Sequence, residues 1–300
     1  MNVARIKLSA LFGTAALALG LLAASPVTAS ASEAYTCSGT PANPGVLAGT
    51  HNSVIVSGVC FVNGGPAVVR GDLTLEPGSA LIAAFAMNDA TGHGTSSLTV
   101  RGDSRVRSGA TLILGCIFTS FPCFDDNQNN PTLASADRVS GDLSASGALA
   151  VIVHDSTIGG DVRQLDGGEG ASKGCAPQGI FAAFGSPVYS DYEDSTIRGD
   201  ISVKGLSSCW LGLARDHVGG DMTLINDNFA DPDAIEILSN NIRGDLTCRG
   251  DSMVWDSSDP TGNLWPRAQE PNTVHGERNG QCNRLQDPVN QGDPRGPLPF

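Results

Sequence analysis

Beyond residue 31 the chain contains only two lysines, Lys173 and Lys204. Aromatic residues make up 5% of it and charged residues 16%. There is no basic cluster, and the formal charge is −13. Repulsion therefore argues against nucleic acid or anionic lipid as a partner. No two cysteines have the C-x-x-C spacing of a structural zinc site. The five histidines (His51, His93, His154, His217, His275) are scattered, with no pair at ligand spacing. The expectation is no metal and no organic cofactor. After Ala24 no apolar run is long enough to cross a bilayer, and no segment has the period of an amphipathic helix.

What is present begins with an export pattern. Arg5 and Lys7 precede an apolar run from Leu8 to Ala24, Pro26 breaks it, and Ala29-Ser30-Ala31 offers a small-residue cleavage site. This order predicts a signal peptide over residues 1–31, removed on secretion. A membrane anchor is the alternative; the shortness of the run and Pro26 argue against it. Cleavage takes two basic residues and no acidic one, so the mature chain is more acidic still. All eight cysteines follow the cleavage site, and an even set in an exported chain predicts disulfides. Proximity in sequence suggests Cys37 with Cys60, Cys116 with Cys123, Cys175 with Cys209, and Cys248 with Cys282.

The fold signal is a repeat. Gly-Asp recurs at Gly71, Gly102, Gly141, Gly160, Gly199, Gly220 and Gly244, in steps of 31, 39, 19, 39, 21 and 24 residues. Two residues before each glycine stand Val69, Val100, Val139, Ile158, Ile197, Val218 and Ile242. Two after it stand Leu73, Ser104, Leu143, Val162, Ile201, Met222 and Leu246. Alternation after a turn, with β-branched residues in one column, is the pattern of short strands with one buried face. One coil cannot bury such a face, but stacked coils can. The chain is therefore expected to be all-β, a right-handed parallel β-helix with disulfides, of about ten coils rising about 4.8 Å each. The short steps fit single coils; the steps of 39 fit either two coils or one coil with a loop. Glycine at the corner is expected for its backbone freedom and for close approach of coils.

Residues 32–64 are expected to cap the first coil, 65–285 to form the helix, and 286–300 to be a disordered tail. Leu81–Phe85, Ile117–Phe121 and Ile180–Phe184 share a pattern of two bulky residues, two small ones and a phenylalanine. They read as a strand giving the core a Phe stack.

The C-terminal repeats carry a resemblance. Asn241-Ile242-Arg243-Gly244-Asp245-Leu246-Thr247-Cys248 and Asn272-Thr273-Val274-His275-Gly276, followed by Gly280-Gln281-Cys282, resemble an N-x-V-x-G-N/D-L-x-C repeat of secreted actinobacterial proteins, most of them uncharacterised. The match covers about 45 residues; the looser coil pattern over 65–282 is similar also to bactofilin and pectate-lyase-like β-helices. The resemblance implies a β-helix at a cell surface or in the medium, supports a Cys248–Cys282 bridge, and implies no activity.

Several motifs could carry chemistry. Gly92-His93-Gly94 and Asp125-Asp126 occur in polygalacturonases, but here their order is wrong and N-T-D is missing. Gly170-Ala171-Ser172-Lys173-Gly174 matches a nucleophile elbow, which needs a strand before it and a helix after it. Arg-Gly-Asp begins at Arg70, Arg101, Arg198, Arg243 and Arg249, mostly on the repeat corner, where other residues also precede the glycine. Acidic loops at Asp125, Asp126 and Asn127, at Asp191, Glu193 and Asp194, and at Asp227, Asp231 and Asp233 offer oxygen ligands to calcium without EF-hand spacing. The preferred binding site is a loop with Tyr189, Asp191, Tyr192, Glu193 and Asp194, with Trp210 nearby, expected to be exposed and able to stack on sugars. No catalytic residue is assigned. The expected role is a non-enzymatic surface or matrix protein meeting a cell-wall glycan or a surface protein. The alternative is a carbohydrate-active β-helix, a polysaccharide hydrolase or lyase.

Overall fold

The computed structural model describes residues 33–84, 96–116, 135–231, 234–257 and 271–283. The expected signal peptide and tail, Cys123, Phe85 and Ile117–Phe121 lie outside these residues.

Three parallel sheets wrap one apolar interior. The first has ten strands, from Tyr35–Cys37 to Arg278–Gly280, and takes the strand after each Gly-Asp. The second has nine, from Gly45–Val46 to Val254–Ser257. The third also has nine, from Gly49–His51 to Thr273–Val274, and carries the β-branched column. Equivalent residues pair in register from coil to coil: Ile158 with Ile197, Ile197 with Val218, Val218 with Ile242. All four are buried. The chain is thus an all-β parallel β-helix with disulfides. Each step of 39 is one coil with a loop, because Ser104–Val106 pairs directly with Leu143–Ser146 and Val162–Leu165 with Ile201–Lys204.

The Gly-Asp corner forms a ladder. The Asp103 N–H donates to Asp72 Oδ1 (3.0 Å), Asp142 to Asp103 (3.1 Å), Asp161 to Asp142 (2.9 Å), Asp200 to Asp161 (3.0 Å), Asp221 to Asp200 (2.9 Å) and Asp245 to Asp221 (2.8 Å). The glycine serves close approach only. A Cβ on Gly102, Gly141, Gly160, Gly199, Gly220 or Gly244 would overlap the carboxylate oxygen of the previous coil, and none of these has positive φ. Left-handed backbone falls instead on the turn from the first sheet to the second, at Gly147, Asp166, Gly205, Asn226 and Gly250. The turn into the third sheet has it too, at Asp155, Asp194, Arg215 and Ser239.

A second ladder runs inside that last turn, four residues before each corner glycine from Gly141 onward. Ser195 donates its N–H to Asp216 Oδ1 (2.9 Å), Asp216 to Asn240 Oδ1 (2.8 Å) and Asn240 to Asn272 Oδ1 (2.7 Å). Ser156 donates to Ser195 Oγ (3.2 Å), and Leu98 donates to Asp137 Oδ1 (2.6 Å). These side chains are buried. They satisfy turn amides that stacking would otherwise leave without partners.

Two expectations need correction. In the expected cap over 32–64, the described residues 33–64 do not lie over the first coil as a separate element. They supply Tyr35–Cys37, Gly45–Val46, Gly49–His51, Val54–Val56 and Val59–Phe61 to the same three sheets. Ile180–Phe184 is not a strand: Phe181–Phe184 is a helical turn ended by Gly185 at φ 68°. It lies in the excursion between Val162–Leu165 and Tyr189–Glu193, where no strand among the described residues pairs with it. Of its counterparts, Leu81–Ala83 is in the strand Ala80–Ala83.

Disulfides join Cys37 to Cys60, Cys175 to Cys209, and Cys248 to Cys282, with Cα separations of 6.3, 4.7 and 5.4 Å, within the range such bridges need. Cys116 is also disulfide-bonded. Among the described residues no helix is long and apolar enough to cross a membrane.

Candidate functional site

The first and second sheets differ in how they meet solvent. First-sheet strands alternate: in Val162–Leu165, Val162 and Gln164 are buried while Arg163 and Leu165 are exposed. Second-sheet strands Ala80–Ala83, Thr111–Leu114, Ala150–His154, Tyr189–Glu193, Trp210–Ala214 and Ile235–Leu238 are buried at every residue. Both faces of these strands are covered, as their near-continuous apolar runs require.

This overturns the exposed-loop reading of Tyr189, Asp191, Tyr192, Glu193, Asp194 and Trp210. The first four form a buried strand, Asp194 is the left-handed turn residue after it, and Trp210 pairs with Tyr189 on the next coil. Pleating divides them. Tyr192 points inward and donates to Gln164 Oε1 (2.8 Å), while Gln164 donates to Ser190 Oγ (2.9 Å). Tyr189 stands edge-on to Phe181 and Trp210, with ring centroids 5.6 and 6.0 Å away. The rings are thus spent on packing and not presented to a ligand.

Asp191 and Glu193 lie on the covered outer face, and His154 joins them from the preceding coil through the His154–Glu193 register pair. His154 Nε2 is 2.8 Å from Asp191 Oδ2 and 3.5 Å from Glu193 Oε2. Arg215, from the following coil, bonds Glu193 Oε1 and makes a two-point contact with Asp194. His154, Asp191 and Glu193 are each no more than 1% exposed. Burial, and with it the charges of Asp194 and Asp191, pushes the nearby Asp216 carboxyl well above its ordinary value. Sequence spacing missed this cluster because the histidine lies one coil from the acids.

The third sheet carries an open cleft of about 460 Å3, lined by Thr196, Arg198, His217, Gly219, Asn241 and Arg243 among others. Arg198 and Arg243 occupy one corner column two coils apart, and Gly219 between them has no side chain, which makes the notch. Both arginines and His217 are exposed, and no ion pair holds them among the described residues.

The remaining motifs recede. In the corner Arg-Gly-Asp units each aspartate accepts an amide of the next coil, so the tripeptide is not a free extended loop. Ser172 sits in a 3-10 turn, Ala171–Lys173, and not between strand and helix. Asp227 is buried and accepts the Leu206 amide (2.8 Å). His93, Asp125, Asp126, Asn127 and Asp233 lie outside the described residues. Comparison with family models, curated proteins and solved structures finds no match.

Proposed function

We propose that the chain is exported and acts without catalysis at the cell surface or in the surrounding matrix, binding a wall glycan or surface protein through its third sheet. The leader pattern and the disulfides support export. The repeat of Asn241–Cys248 and Asn272–Cys282 is the reason to group it with secreted actinobacterial β-helices.

One observation carries the binding role. The open cleft offers guanidinium, imidazole, hydroxyl and amide groups and no carboxylate, whereas the acid-histidine cluster is shut from solvent. Glycan hydrolysis needs two reachable carboxyl groups flanking the bond. The opposing reading, a carbohydrate-active β-helix, draws on Asp191 and Glu193, whose carboxylate oxygens lie within 4.8 Å of each other. Purified residues 32–300 tested on a glycan array and in a reducing-sugar release assay decide between them. The proposal expects binding that Arg198→Ala with Arg243→Ala removes, and no release. Release abolished by Glu193→Gln would reverse the assignment.

A further inference from the structure

We propose that His154, Asp191 and Glu193 hold one divalent transition-metal ion, of the zinc or manganese type, on the covered face of the second sheet. The three donors come from two paired strands, and their ligating atoms all lie within 4.8 Å of one another. Metal–ligand bonds of about 2.1 Å put neighbouring donors about 3.0 to 3.4 Å apart; the imidazole nitrogen here is 2.8 and 3.5 Å from the two carboxylates.

The surroundings fit. Arg215 occupies Oε1 of Glu193 and so orients Oε2 toward His154, the task of a residue behind a ligand. Position 212, beside Asp191 in the register, is glycine; a Cβ there would meet the Trp210 ring and sit against Asp191 Oδ1. An imidazole with two carboxylates favours zinc or manganese over calcium or magnesium, which prefer all-oxygen shells. The other grouping of potential ligands, Cys175, Cys209 and Asp231, is not comparable, since its sulfurs are joined to each other.

The test uses the mature chain secreted into medium containing zinc, manganese and calcium, with metals counted by mass spectrometry after desalting. The expected result is one zinc or manganese per chain and no calcium. His154→Gln should retain about tenfold less metal with an unchanged far-ultraviolet circular dichroism spectrum, and His217→Ala on the third sheet should retain the full amount. If His154→Gln is not secreted, the wild-type protein still decides. Stripped with chelator and reloaded with cobalt, it should show visible absorption from nitrogen- and oxygen-bound cobalt. Wild-type protein with no metal above blank, both as secreted and after incubation with zinc, manganese or cobalt, overturns the proposal and leaves a network of protein charges alone.

Discussion

Two ladders of side-chain oxygens climb the same coils, one in solvent and one shut inside. At the Gly-Asp corner Asp72, Asp103, Asp142, Asp161, Asp200 and Asp221 each accept the amide of the coil above. In the turn into the third sheet Asp137, Asp216, Asn240 and Asn272 do the same work while buried. The bonds are alike; the electrostatics are opposite. Arg105 beside Asp72, helped by the Asp103 amide, holds that carboxyl below its ordinary value. Burial pushes Asp137 up to about 7 despite the amides of Leu98 and Gly115 and the Ser135 hydroxyl. Hydrogen-bond geometry alone therefore does not tell what a rung contributes; access to water does.

The contrast is broken most strongly by pH. In the unfolded chain aspartate ionises near 3.8, while folded Asp137 keeps its proton to about 7. Between those values the folded state binds the proton and the unfolded state does not, so stability falls as pH rises from about 4 to 7. Asp137 alone accounts for on the order of 4 kcal/mol, and Asp227, raised to about 7 mainly by burial, acts in the same direction. Denaturant midpoints across this range should show the decline, and Asp137→Asn should flatten it; an equally steep slope in the variant refutes the assignment.

Asn240→Ala comes next. It strands the buried amide of Asp216 and removes donors to Leu213 and Asn272, with an expected cost of about 3 kcal/mol in chemical denaturation. The exposed counterpart, Asp200→Ala, should cost about 1 kcal/mol, since water can take over the Asp221 amide. Equal losses at the two sites would erase the distinction. Arg105→Ala removes two solvent-exposed ion pairs, to Asp72 and Asp103, and should change stability by less than about 0.5 kcal/mol.

The exposed ladder and the β-branched column were legible because each repeats at a fixed offset, however long the loops between. The buried ladder repeats as faithfully, at Asp137, Ser156, Ser195, Asp216, Asn240 and Asn272. It is not legible as a ladder because a polar residue before a strand suggests a solvated turn. Two-sided burial of the second sheet was written in Ala150-Val151-Ile152-Val153, a run without alternation. Tyr189–Glu193 hid it: five polar or aromatic residues look like a loop until His154, Gln164 and Arg215 arrive from neighbouring coils to partner them. That meeting depends on the register across the excursion before Tyr189, which no local pattern encodes.

Stacking of coils through Gly-Asp is tested most directly by a double-mutant cycle between Gly220 and Asp200 on successive coils. In the wild-type background Gly220→Ala drives a methyl into Asp200 Oδ1 and should cost about 3 kcal/mol of unfolding free energy. In an Asp200→Gly background the space is open, and the same substitution should cost about 1 kcal/mol or less. An identical cost in both backgrounds would contradict the in-register stack.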